Sequence, residues 1–124
     1  MTSESRLPAF ALLVRSHPYQ RRSARAELDV ALAALIMDYR LEVYFIGPSI
    51  LQLLTDRNTE PAQLPAAYRA WASLPDLGEF ALFAEQQWLD RLVETNSRLL
   101  MSVRGLDPGL LRQRWRHCDY SMVL

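Results

Sequence analysis

The chain has 124 residues, half of them apolar and 23% charged, the composition of one folded domain rather than of a disordered or low-complexity segment. All 14 basic side chains are arginine, which excludes a phosphate-loop lysine, Schiff-base chemistry and a lysine general base. Net charge is zero, there is one cysteine, and no apolar run approaches the ~18 residues of a membrane span; bulk nucleic-acid binding, an intrachain disulfide, multi-cysteine zinc sites and membrane insertion are therefore not expected.

The segment Met1 to Arg6 is polar and precedes only a short apolar run, so a flexible N-terminus is expected rather than a signal peptide, and a cytoplasmic location follows. Pro8 to Val14 is a continuous apolar run, the pattern of a strand covered on both faces. A polar loop, Arg15 to Ser23, comes next. Leu28, Leu32, Leu35 and Tyr39, with Ala31 and Ala34 beside them, then form the stripe of an amphipathic helix. Leu41 to Ile46 reads as a second strand, stopped by Gly47-Pro48, and Ser49 to Leu54 as a short helix.

Thr55 to Leu64 is a polar loop, and Pro65 opens a helix whose stripe is Leu64, Tyr68, Trp71 and Leu74. A turn at Pro75 to Gly78 leads to a third strand, Phe80 to Ala84, and a helix, Glu85 to Glu94, with Trp88, Leu89 and Leu92 apolar. Leu99 to Val103 is read as the fourth strand. Asp107-Pro108 is an N-cap followed by proline in the first turn of a helix carrying Leu110, Leu111 and Trp115. Tyr120 to Leu124 is the fifth strand. Five strands separated by helices predict a single α/β domain over 1–124: a three-layer α/β/α architecture, flavodoxin-like, with a mostly parallel open sheet. Ligands in such sheets gather at the carboxyl ends of the strands, which points to Arg15–Ser23, Gly47–Pro48, Ala84–Gln87, Arg104–Asp107 and the C-terminus.

The chemistry those loops carry is sparse. The first loop has no glycine, so a dinucleotide fingerprint fails; it has no carboxylate pair for a receiver-type phosphoacceptor, and no nucleophile elbow occurs. No cofactor and no metal site is expected. Arg15, Arg21, Arg22 and Arg25 lie on or near that loop and could take an anion or an acidic partner, although a solvated basic loop is the simpler reading. His17 has no nucleophile or carboxylate beside it in sequence and reads as a surface histidine. Cys118 follows Arg114, Arg116 and His117, which would favour a thiolate if close in space. It nevertheless precedes the last strand, at the sheet end opposite to where sites form, so an incidental thiol is the simpler reading. Trp71, Trp88 and Trp115 read as packing residues first and interface anchors second. Charge is uneven along the chain: +2 over residues 1–40, −5 over 41–97 and +3 over 98–124. A mixed solvated surface accounts for this, and charge-selected partners are the sharper reading.

Leu28 to Leu54, LDVALAALIMDYRLEVYFIGPSILQLL, resembles the helix–strand–helix signature of the DsrE/DsrF/DsrH superfamily. It is most similar to the TusC/DsrF branch, with Phe45, Ile46, Ile50, Gln52, Leu53 and Leu54 on a recurring "FFI-x-x-G-[VI]-x-QLL" segment. The RGLDP turn (Arg104 to Pro108) and the DYSMVL ending (Asp119 to Leu124) extend the resemblance to nearly the whole chain from Leu7. It implies a subunit of a bacterial sulfur-relay complex: a heterohexamer with TusD/DsrE-like and TusB/DsrH-like paralogues that passes persulfide sulfur to a TusE/DsrC-like acceptor. In Tus systems the sulfur goes to 2-thiouridine of tRNA; in Dsr systems it serves sulfur oxidation. The relay cysteine of such complexes belongs to the TusD/DsrE subunit, after its third strand.

Phe80 to Trp88, the matching region here, has no cysteine, so no catalytic residue carries over. The implied role is non-catalytic and structural, contacting neither nucleic acid nor membrane directly and meeting the TusE/DsrC-like acceptor only indirectly. The family's Asp-Gly after the second strand is replaced by Gly47-Pro48-Ser49. Two other classes of function stay open on the residues alone. One is a sulfurtransferase using Cys118, which requires an exposed thiol of depressed pKa. The other is a stand-alone ligand-binding domain, which requires a pocket at the strand carboxyl ends.

Overall fold

The computed structural model describes residues 7–15, 21–53, 74–97, 99 and 101–124, the side chains of 21–25 and 52 excepted. Five strands form one all-parallel sheet in the order β4-β3-β2-β1-β5. They are β1 (Ala9–Val14), β2 (Arg40–Phe45), β3 (Phe80–Glu85), β4 (Arg104–Leu106) and β5 (Tyr120–Val123). The helices are α1 (Arg21–Ile36), α2 (Gln86–Glu94) and α3 (Pro108–Arg116), with 3-10 segments at Gly47–Leu53 and Leu74–Asp76. This is the expected α/β class. The loop predicted at 55–64 and the helix stripe through Leu64, Tyr68 and Trp71 lie outside the described residues, as does the N-terminal segment 1–6.

Topology explains the layers. The chain steps from β1 through β2 and β3 to β4 in one direction, and right-handed crossovers keep those connections on one face. The return from β4 to β5 runs the other way across the sheet, so α3 is laid on the opposite face. Burial agrees. Leu28, Ala31, Ala34 and Leu35 of α1 and Leu92 of α2 join Leu12, Val14, Val43, Phe45, Leu82 and Ala84 in the main core. Leu111 of α3 closes a smaller core with Ala11, Leu13, Tyr44 and Phe83, and Trp115 and Cys118 pack against it. The period-2 alternation along β1, β2 and β3 assigns successive residues to these two cores.

Helix ends follow their local chemistry. Asp107 caps α3, its Oδ1 accepting the Leu110 N–H at 3.0 Å, with Pro108 at the first helical position, as the sequence predicts. The C-termini of α1 and α2 are closed by residues in the left-handed region, Asp38 (φ 64°) and Asn96 (φ 58°). Tyr39 N–H bonds back to Ala34 O and Ser97 N–H to Leu92 O, the six-to-one bond of a Schellman ending. Among the described residues no helix is long and apolar enough to cross a membrane.

Three expectations shift. Strand β4 is Arg104–Leu106, not Leu99 to Val103. The apolar run contributes Leu99, Met101 and Val103 as partly buried side chains against the main core, while the ladder with β3 begins at Arg104, opposite Phe83. Gly105 allows that pairing: a Cβ there would run into the Gln86 side chain and meet Leu89 Cδ1 at 2.8 Å, so the strand lies directly on the first turn of α2. Helix α1 begins at Arg21, so the first loop is shorter than Arg15–Ser23. The segment after β2 is 3-10 rather than α and starts at Gly47, whose φ of +58° suits glycine.

Candidate functional site

The carboxyl ends of β1, β2 and β3 are tied together by polar contacts. The Val14 carbonyl accepts the Ile46 N–H at 2.9 Å and the Ser49 hydroxyl at 2.8 Å. Ser49 is fully buried and its proton is committed to that carbonyl, so it is no nucleophile. Glu85 ends β3 and begins α2. Its Oε1 accepts the Gly47 N–H at 3.3 Å and the Gln87 amide at 3.4 Å. Gln86 donates to Asp90 at 2.9 Å. The edge where such sheets carry their chemistry therefore presents a carboxylate and amides here, and among its described residues no thiol. Arg15 lies exposed just past β1. His17 and the side chains of Arg21, Arg22 and Arg25 lie outside the described residues.

Cys118 is at the opposite end, between α3 and β5, half-buried. The fold brings it to a carboxylate that sequence reading passed over. Glu42 sits in β2 on the α3 face and is 5% exposed. Four donors converge on it: the Tyr44 hydroxyl, the Cys118 thiol at 3.7 Å, Arg114 Nε at 3.3 Å and Arg40 Nη2 at 3.6 Å. The Arg114 guanidinium also lies over the Phe83 ring, 4.5 Å from its centroid. Tyr44 packs against Phe83 and Trp115, with centroids 5.0 and 6.2 Å away. Two arginines and two neutral hydrogen-bond donors satisfy one buried charge, the condition under which such a charge is tolerated.

The arrangement sets the thiol's chemistry. Burial, then the charge of Glu42 and its hydrogen bond, push Cys118 up to about 11 from the ordinary 9.0. Burial, then the hydrogen bond and charge of Glu42, likewise push Tyr44 well above the usual phenol range. Of the positive groups expected to favour a thiolate, Arg114 directs its Nε at Glu42, and Arg116 and His117 stand exposed. The shift is opposite to the depressed pKa that a Cys118 sulfurtransferase requires. Glu42 was hidden because Leu41 to Ile46 reads as a plain strand; the one signal was a charge inside an otherwise apolar run.

Trp88 is partly buried against the main core, with the Arg91 guanidinium 5.1 Å from its ring centroid, and Trp71 lies outside the described residues. Leu7, Pro8, Arg40 and Asp119 line an open cleft of about 630 Å³ near the amino ends of β1 and β2. There Asp119 Oδ2 accepts the Ala9 N–H at 2.8 Å. A small-ligand domain would place its pocket at the other end of the strands. Among the described residues no group of three or more His, Cys, Asp or Glu is placed to hold a metal ion.

Comparison with known proteins bears on fold and family. No curated protein matches the sequence. Among solved structures the chain is similar to the YchN protein from E. coli, with a TM-score of 0.72 at 12% identity, over 95% of this chain and 100% of that one. At that identity the likeness speaks to the fold alone, a DsrE-like α/β sheet. The profile of the DsrE/DsrF-like family matches residues 9–124, from the first residue of β1 to Leu124, and by that match the chain belongs to the DsrE/DsrF-like family.

Proposed function

We propose that this chain is a non-catalytic subunit of a bacterial sulfur-relay complex of the TusBCD/DsrEFH type. It packs against TusD/DsrE-like and TusB/DsrH-like paralogues and holds the cysteine-bearing subunit where a TusE/DsrC-like acceptor can take persulfide sulfur. We assign its pathway to tRNA 2-thiouridine synthesis. Family membership supports a sulfur-relay setting. The observation that carries the non-catalytic role is chemical. The β3–α2 junction, where a relay thiol would stand, holds Glu85 and Gln86. The chain's one thiol is elsewhere, bound to Glu42 and held protonated.

The test is co-expression with the two paralogues of the same organism, followed by native mass and a sulfur-transfer assay. One assembly with two copies of each chain is expected, transferring sulfur at an unchanged rate when this subunit carries Cys118→Ala. Loss of transfer in that variant, with the assembly intact, would transfer the role to Cys118. A chain that does not join the paralogues would end the relay reading.

A further inference from the structure

We infer that the groove between α3 and the outer strand β4 is a docking site for an acidic segment of another protein, one that carries carboxylates beside an aliphatic side chain. The room for it follows from dimensions. Five strands about 4.8 Å apart make a sheet about 20 Å across, and a helix with its side chains is about 10 Å wide. One face of the sheet is covered by α1 and α2; among the described helices the other face has α3 alone. Part of that face is left open, and burial along β3 shows where. Ala81 pairs in register with Glu42 and precedes Phe83 by two residues, so it shares their face of the sheet. Phe83 is buried there, and Ala81 is exposed.

Three further side chains stand around that opening. Arg104 of β4 is exposed and pairs in register with Phe83, so it stands beside it on the same face. The Arg114 guanidinium lies over the Phe83 ring, 4.5 Å from its centroid. Leu110 is one turn before Arg114 on the same flank of α3 and is 50% exposed. The side chain of Arg104 makes no hydrogen bond or ion pair with any described residue. Arg114 gives Nε to Glu42 at 3.3 Å, which leaves the outer nitrogens of its fork for another acceptor.

Charge and composition select the occupant. On this side Glu42 is enclosed, and Asp107 is committed to capping α3. The arginine excess of residues 98–124 thus has a place in the fold, on either side of Phe83. Guanidinium forks match carboxylates with two parallel hydrogen bonds. Leu110 and Ala81 set apolar surface along those charges, which an aliphatic side chain covers and a phosphodiester backbone does not. The whole chain has zero net charge, so it lacks the broad positive field that gathers nucleic acid. Arginine combined with apolar surface is the composition of protein interfaces.

This inference does not rest on the relay reading and is tested on the chain alone. The probe is a fluorescein-labelled peptide of alternating glutamate and leucine, titrated by anisotropy at low ionic strength. Binding is expected, and it is expected to weaken as salt is added. Arg104→Glu is expected to lower the affinity about tenfold. Arg112→Glu makes the same charge change on the opposite flank of α3 and is expected to alter affinity less than about twofold. Leu110→Ser is expected to weaken binding and leave its salt dependence as it was. All three side chains are exposed, so unfolding midpoints are expected to stay at the wild-type value. Absence of binding, equal losses in Arg104→Glu and Arg112→Glu, or tighter binding of poly(U) RNA than of the peptide overturns the proposal.

Discussion

Glu42 shows how one side chain can govern its neighbours' chemistry. Its carboxylate is almost fully enclosed, while the two arginines that pair with it are 40–44% exposed at their side chains. Solvent screening on that side weakens the pairs, so Glu42→Gln is expected to cost about 1–2 kcal/mol in denaturant unfolding, below the loss for a fully buried pair. The same change removes the charge that raises the Cys118 thiol but leaves its burial, the larger cause. Alkylation of wild-type Cys118 at pH 8 should be about a hundredfold slower than that of an unperturbed thiol, and Glu42→Gln should recover part of that difference. A wild-type rate equal to that of a free thiol would refute the account.

Stability should follow the same group. A thiol whose folded pKa lies above its unfolded value keeps its proton longer in the native state. Its contribution is fully present below about pH 9 and is lost as pH rises through about 11. Thermal unfolding midpoints are expected to fall across that window, and less steeply in Cys118→Ala. None of this chemistry was legible beforehand. In sequence Cys118 stands beside three basic residues, and only the fold sets a carboxylate 76 positions away against its sulfur.

At the scale of elements, most of the pattern was legible. The apolar runs located β1, β2, β3 and β5 to within a residue or so, and Asp107-Pro108 located the start of α3. Reading failed where composition and backbone pairing part company. Leu99 to Val103 is as apolar as a strand, yet among its described residues only Leu99 makes a bridge, and the ladder with β3 is the less apolar Arg104–Leu106, where glycine lets the chain approach α2. The end of α2 at Glu94 was read correctly, whereas the end of α1 at Ile36 was not. Both endings use a non-glycine residue at positive φ; Asn96 is a recognised closing residue, and Asp38 a weaker one. Asp38→Gly relieves the left-handed strain at the end of α1 and is expected to add about 0.5–1 kcal/mol, read as a rise of a few degrees in Tm. A fall in Tm would mean that Asp38 contributes something other than chain reversal there.

At the scale of the molecule, protection is distributed by topology. Strands β1 and β2 are central and enclosed on both faces; all four residues of β5 are exposed. Native-state hydrogen exchange is therefore expected to be slowest in Leu12–Val14 and Leu41–Phe45 and fast at Ser121 and Val123 in dilute protein. By itself the sequence determined the class of fold, because the hydrophobic period and turn residues are local and the chain must bury those faces somewhere. It also showed which residue types are missing: with no lysine and no glycine in the first loop, a phosphate-loop lysine and a dinucleotide fingerprint have nothing to be built from. Only the tertiary structure decided that β5 lies at an edge, that α3 alone among the described helices covers its face, and that Glu42 meets Cys118. Those facts depend on the order in which strands are laid down across the sheet, which no local stretch of residues encodes.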